Sequence, residues 1–162
     1  MERVIFFVED EMAANSYVVD ARTSGRFPGC RIIGRDFVEE ALAWSGSPQP
    51  PTVFVIDSKM MPTPELKTEL KGFLLTQGIG LEEIADGDIE VLTGALGSLL
   101  LRRNMPGCRI ILLTAFARTI AEFREKNEKL DRLLHNNINA ILPKRDPEAL
   151  TKCIEEQLAS LK

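Results

Sequence analysis

Four short apolar runs, each followed by a polar side chain, constrain the fold of this chain more than any other feature of its sequence. The runs and the residues after them are Arg3–Val8 before Glu9 and Asp10, Thr52–Ile56 before Asp57, Arg109–Leu113 before Thr114, and Ala140–Pro143 before Lys144. Short, nearly continuous apolar runs are typical of strands in a parallel sheet that helices cover on both faces. Because the carboxyl ends of parallel strands lie at one edge, we expect these polar groups to meet in one crevice, where open α/β sheets bind ligands.

Segments with helical character separate these runs, so that strand and helix alternate along the chain. The further predicted elements are a weaker strand at 31–33 and helices at 11–21, 37–44 and 147–161. Asp36 and Asp146 precede two of these helices and are expected to be their N-caps. Regular alternation of this kind predicts an α/β fold built on a parallel sheet.

The stretch between the third and fourth apolar runs is longer than one crossover helix requires. Apolar residues recur at helical spacing over 65–75 and again over 88–103, which predicts two helices in place of one. The charged stretch 116–134 is also long for a single helix. At 162 residues the chain is predicted to be one domain, 1–162, with a helical elaboration within about 63–104.

Composition excludes several classes of function. The formal net charge is −4, which argues against direct binding of nucleic acid because such binding needs a basic surface. The N-terminus lacks the features of a signal peptide, and no apolar stretch reaches membrane-spanning length. The three cysteines are far apart and form neither a zinc pattern nor a disulfide framework. We therefore expect a cytoplasmic protein that does not associate with membranes.

The polar groups of the predicted crevice suit phosphoryl chemistry. Glu9, Asp10 and Asp57 would crowd several carboxylates together, which is costly unless a cation lies among them. Oxygen ligands without histidine or cysteine favour Mg²⁺ or Mn²⁺. Lys144 adds a positive charge and Thr114 a hydroxyl, as a phosphoryl group in transfer requires. Asp57, which ends its run without a neighbouring acid, is the best candidate for a carboxylate nucleophile.

These residues and their order along the chain resemble the receiver (CheY-like) domain of two-component response regulators. The matching segments are Val4–Glu11, Val53–Asp57, Ile110–Ala115 and Ile141–Lys144, and Met60-Met61-Pro62 resembles the Met-Pro that follows the phospho-acceptor. The resemblance covers nearly the whole chain apart from the enlarged middle. It implies a flavodoxin-like, doubly wound sheet of five parallel strands in the order 2-1-3-4-5, with the enlarged helical segment between strands 3 and 4.

The resemblance also implies a role for each residue of the crevice. Asp57 would be the phospho-acceptor, Thr114 the switch hydroxyl and Lys144 the lysine that contacts the phosphate. The metal ion would be bound by Glu9, Asp10 and Asp57, and by the backbone carbonyl of Lys59.

The sequence departs from the family pattern at several positions. Pro62 follows Asp57 by five residues, one more than usual, which predicts a remodelled loop where the metal would be contacted. Ile141 stands where the family often has a tyrosine or phenylalanine, and Arg145 follows the lysine where proline is common. The 30 residues from the threonine to the lysine also exceed the typical interval. None of these changes removes a catalytic group.

The resemblance implies a function in phosphorelay signalling. The chain would accept a phosphoryl group from a sensor histidine kinase or a phosphotransfer protein and switch a surface that binds a downstream protein or a second copy of itself. Any catalysis would be limited to phosphorylation and dephosphorylation of its own aspartate. One alternative is a pseudo-receiver that binds or dimerises without phosphorylation. Another is an aspartyl-phosphate phosphatase, although Lys59 stands where those enzymes have a second aspartate.

Overall fold

The computed structural model describes residues 2–9, 15–80, 84 and 86–161. In this part of the chain the strands are β1 (Arg3–Val8), β2 (Cys30–Arg35), β3 (Thr52–Asp57), β4 (Arg109–Thr114) and β5 (Ala140–Pro143). The helices are α1 (Asn15–Thr23), α2 (Val38–Ser45), α3 (Pro64–Thr76), α4 (Asp86–Asn104), α5 (Ala117–Lys126), α6 (Glu128–Asn137) and α7 (Pro147–Ser160).

The five strands form one parallel sheet in the order β2-β1-β3-β4-β5. The predicted α/β class and strand order are therefore confirmed. All six residues of β3 are buried, as expected of a central strand covered on both faces. Because every strand runs in the same direction, the residues that follow β1, β3, β4 and β5 lie along a single edge.

The apolar strand residues are divided between two hydrophobic clusters, one on each face of the sheet. Val4, Phe6 and Val8 of β1 point to the cluster that α2, α3, α4, α5 and α6 cover. Ile5 and Phe7 point to the smaller cluster under α1 and α7. The alternation follows from the two-residue period of a strand, and it explains why these strands are apolar on both sides.

The enlarged helical segment between β3 and β4 is present and consists of α3 and α4. α4 packs on the sheet against β3 and β4, and α3 packs against α4. Residues that share helical spacing are buried on each helix: Leu66, Leu70 and Leu74 on α3, and Ile89, Leu92, Leu96 and Leu100 on α4. α4 is 19 residues long but carries charges at both ends. Within the described residues, no helix has the length and apolarity needed to cross a membrane.

Three helix boundaries depend on local hydrogen bonds that the sequence pattern identified only in part. Asp146 caps α7 as predicted and accepts from the N–H of Ala149 at 3.0 Å. Asp36 does not cap α2, because the N-cap is Phe37, whose N–H donates to the Glu40 carboxylate at 3.2 Å. The long crossover between β4 and β5 is divided at Asn127, which ends α5 and caps α6.

Candidate functional site

The carboxyl ends of β1, β3 and β5 bring three of the predicted site residues together. Nζ of Lys144 lies 2.9 Å from Oε1 of Glu9 and 2.9 Å from Oδ2 of Asp57. The exposed fractions of these side chains are 13% for Lys144, 6% for Glu9 and 3% for Asp57. A lysine and two carboxylates thus form a nearly buried ionic cluster at the edge of the sheet.

Backbone hydrogen bonds hold the positions from which these side chains project. The N–H of Glu9 donates to the carbonyl of Arg35 at 3.0 Å, which continues the pairing of β1 with β2 by one residue. The N–H of Lys144 donates to the carbonyl of Thr114 at 3.2 Å, beyond the end of β5. Tyr17 on α1 donates its hydroxyl hydrogen to the carbonyl of Lys144 at 2.5 Å. The backbone of Glu9 is therefore held by β2, and the backbone of Lys144 is held by β4 and α1.

The charges in the cluster do not balance if both carboxyl groups are ionised. The pKa of Glu9 is raised to about 8, mainly by burial and also by the hydrogen bond and negative charge of Asp57, and Lys144 partly opposes this shift. Near neutral pH the metal-free cluster therefore favours a proton on Glu9, which lies beside Asp57 and Lys144. Additional positive charge at this position would stabilise both carboxylates in their ionised form.

The residues present fit a hard divalent cation. Mg²⁺ is usually held by one or two carboxylates, with water and phosphate oxygens completing an octahedron, and Glu9 and Asp57 supply such carboxylates. Asp10, the third acid predicted to bind metal, lies outside the described residues. The fit rests on the two carboxylates alone: within the described residues, which leave out Asp10, there is no group of three or more His, Cys, Asp or Glu side chains that could hold a metal ion. Lys59, whose carbonyl is the remaining predicted ligand, is exposed in the loop after β3.

Thr114 is buried at the end of β4 and is engaged in a hydrogen-bonded pair that the sequence did not predict. Its Oγ1 accepts from the hydroxyl of Ser58 at 2.9 Å and from the N–H of Phe116 at 2.8 Å. Ser58 is fully buried and directly follows Asp57. The hydroxyl predicted to act as a switch is therefore tied to the residue beside the predicted phospho-acceptor.

The loops that follow β3 and β4 also meet at the exposed side of the crevice. Nζ of Lys59 lies 5.2 Å from the centre of the Phe116 ring, within the range of a cation–π interaction. Such contacts contribute about 0.5–1 kcal/mol at exposed positions. The side chain of Lys59 is thereby directed toward the loop after β4.

Three residues that shape the site, namely Ser58, Gly94 and Tyr17, are not among those that the sequence predicted. A serine beside a candidate nucleophile carries no pattern of its own, and Tyr17 acts on a residue 127 positions away. Gly94 left a weak signal, since a glycine within a helical pattern often marks close packing. The structure places Gly94 against the backbone at Asp57.

No protein-family model matches the chain, and no curated protein sequence matches it. Among solved structures, it is similar to a CheY-like response regulator receiver domain protein from Methanospirillum hungatei, with 16% identity and a TM-score of 0.61 over 99% of this chain and 97% of that one. It is similar to the response regulator domain of Thermotoga maritima CheB, with 14% identity and a TM-score of 0.56 over 99% and 96% of the two chains.

The chain also has the same architecture as a pilus assembly protein. The pilus assembly protein CpaE from Caulobacter crescentus is 12% identical, with a TM-score of 0.53 over 96% of this chain and 98% of that one. At such identities the similarity concerns the fold alone, since one fold supports many functions. The chain has the fold of response regulator receiver domains, and its function has to be argued from its site.

Proposed function

We propose that this chain is a receiver in phosphorelay signalling, which accepts a phosphoryl group on Asp57 with the help of Mg²⁺ or Mn²⁺. One observation carries the proposal: Lys144 lies 2.9 Å from both Asp57 and Glu9 in a nearly buried crevice at the carboxyl edge of the sheet. This arrangement places an ammonium group and a second carboxyl group beside the Asp57 carboxylate, and these are the groups that formation of an aspartyl-phosphate requires. The donor would be a sensor histidine kinase or a phosphotransfer protein.

Each residue of the cluster has a chemical task in this transfer. A carboxylate oxygen of Asp57 attacks phosphorus, the bond between phosphorus and the donor breaks, and the donor retains the electron pair of that bond. The ammonium of Lys144 stabilises charge on the transferred group. A divalent cation, held by Glu9, Asp10, Asp57 and the Lys59 carbonyl, would supply further positive charge for the phosphate oxygens.

Phosphorylation would change the surface through Thr114. The added group carries about −1.5 to −2 charges, by analogy with phosphorylated hydroxyl side chains. We infer that the hydroxyl of Thr114 leaves Ser58 to donate to this group and moves the loop that contains Phe116. A two-state surface biased in this way would bind a downstream protein target.

A second candidate function is a pseudo-receiver that binds a protein partner without phosphorylation. The ion pairs themselves favour it, because Lys144 already offsets negative charge from both Glu9 and Asp57. Ile141 in place of an aromatic residue also removes a side chain through which receivers often transmit the change.

Intact-mass spectrometry distinguishes the two functions. The wild-type protein is incubated with acetyl phosphate, with Mg²⁺ or with EDTA, and Asp57→Asn serves as the control. A receiver gains the mass of one phosphoryl group only with Mg²⁺, and the variant gains none. Failure of the wild type to gain mass from acetyl phosphate and from phosphorylated histidine donors would favour the pseudo-receiver.

A further inference from the structure

The backbone on both sides of Lys59 is hydrogen-bonded to the middle of α4. The N–H of Met60 donates to the carbonyl of Glu90 at 3.0 Å, and the N–H of Gly94 donates to the carbonyl of Ser58 at 2.9 Å. Glu90 and Gly94 are four residues apart, the spacing at which a regular α-helix bonds its own carbonyl and N–H groups. α4 thus offers an acceptor and a donor from one turn to the loop, and Lys59 is held between them.

This approach requires a glycine at position 94. A Cβ atom there would lie 1.8 Å from the carbonyl oxygen of Asp57 and 2.8 Å from Cα of Ser58. These are backbone atoms, so the overlap could be relieved only by separating α4 from the loop. Gly97, one turn further along α4, differs because its Cβ would lie 2.6 Å from a methyl carbon of Val38, so that the overlap there is with a side chain of α2 and not with the backbone of the loop.

The opposite side of the same loop is bonded to β4. The N–H of Ser58 donates to the carbonyl of Leu113 at 2.8 Å, and its hydroxyl donates to Thr114 at 2.9 Å. The carbonyl of Ser58 is the group that accepts from Gly94. Ser58 therefore joins β4 to α4 directly beside Asp57. The side of the loop that faces away from β4 is held by α4.

We propose that α4 is a positioning element of the site: through Gly94 and Glu90 it sets where the carbonyl of Lys59 lies relative to Asp57. Gly94 is the positioning residue, because it alone lets the helix approach closely enough to form both hydrogen bonds. That α4 positions the Lys59 carbonyl for a bound cation rests on the proposed function, whereas the attachment of the loop to α4 does not. If a change at the crevice moves the peptide groups of Lys59, it must either move α4, the longest described helix, or break the hydrogen bonds between α4 and the loop.

Amide hydrogen exchange tests the attachment in the metal-free protein. In the wild type the amide of Met60 should exchange slowly although its neighbour Lys59 is exposed, and in Gly94→Ala it should exchange as fast as in an unstructured peptide. Gly97→Ala is the matched control: it adds the same methyl group to the same helix, against the Val38 side chain and not against the loop backbone, and it should leave Met60 protected. Fast exchange of Met60 in the wild type, or full protection in Gly94→Ala, overturns the proposal. If the Gly94 variant does not fold, fast exchange of Met60 in the wild type still overturns the proposal.

Metal affinity tests the positioning role, with Mn²⁺ followed by electron paramagnetic resonance and Mg²⁺ by calorimetry. Gly94→Ala is expected to bind Mn²⁺ about 10-fold more weakly or worse, the range found when groups that orient metal ligands are changed. Gly97→Ala is expected to match the wild type. Equal affinity in Gly94→Ala, combined with lost protection of Met60, overturns the positioning role. Absence of metal binding by the wild type would instead overturn the proposed function and leave the exchange result standing.

Discussion

Replacing Glu9 with glutamine should stabilise the metal-free protein, and the gain should depend on pH. Glu9 is 6% exposed, and burial together with Asp57 raises its pKa from 4.5 to about 8. Glutamine keeps the shape of the protonated acid: its amide oxygen can accept from Lys144, and its amide N–H can donate to Asp57. The substitution therefore removes the ionisable group at position 9 and keeps its contacts with Lys144 and Asp57.

The size of the effect follows from the two pKa values. Between about pH 4.5 and about pH 8 the folded protein retains a proton on Glu9 that the unfolded chain releases, so stability falls as the pH rises through this window. At about 1.4 kcal/mol for each pH unit, the loss reaches about 3 kcal/mol at pH 7 and stays below about 1 kcal/mol at pH 5. Glu9→Gln should recover most of this loss at pH 7 and little at pH 5.

Urea denaturation of both proteins in EDTA, at pH 5 and pH 8, measures the difference in unfolding free energy. Added Mg²⁺ should narrow the difference at pH 8, because a cation that binds the folded wild type stabilises it by mass action and the variant lacks one ligand. A wild type at least as stable as Glu9→Gln at pH 8 would show that Glu9 does not destabilise the folded protein. If the two proteins differed in unfolding free energy by the same amount at pH 5 and pH 8, the effect would not come from the raised pKa of Glu9.

Three further outcomes are expected. Lys144→Met should lower the free energy of unfolding at pH 8 by about 3 kcal/mol or more in urea denaturation, because it leaves buried carboxylates without their ammonium; an effect below the error would contradict the ion pairs. Ser58→Ala should lower it by about 1 kcal/mol, the contribution of one hydrogen bond to Thr114; an unchanged midpoint would argue against that bond. Burial raises the pKa of Cys108 to about 11, so iodoacetamide at pH 8 should label Cys30 before Cys108 in peptide mass spectra; the reverse order would show that Cys108 is accessible.

The sequence predicted the sheet and the position of the site because both depend on local patterns. Apolar runs define the strands, and the rule that parallel strands share a carboxyl edge brings Glu9, Asp57 and Lys144 to one place without any knowledge of the packing. The buried face of α4 was predictable for the same reason, since its apolar residues recur at helical spacing. Strand order followed only from the resemblance to a known family.

The features that the sequence did not reveal depend on contacts between distant segments. Gly94 meets the loop after Asp57 through backbone groups, and backbone hydrogen bonds leave no side-chain pattern. The pairing of Ser58 with Thr114 joins residues 56 positions apart, and a buried serine has no periodicity to identify it. The division of the β4–β5 crossover at Asn127 was missed because charged residues continue through both helices.

The residue that carries the phosphoryl group can be identified by chemical reduction and peptide mass spectrometry. After reaction with acetyl phosphate and Mg²⁺, borohydride converts an aspartyl-phosphate to homoserine, which peptide mass spectrometry locates. We expect homoserine at position 57 in the wild type, and none after incubation with EDTA or in Asp57→Asn. Homoserine at another aspartate, or none in a wild type that binds Mg²⁺, would contradict the assignment of Asp57 as the phospho-acceptor.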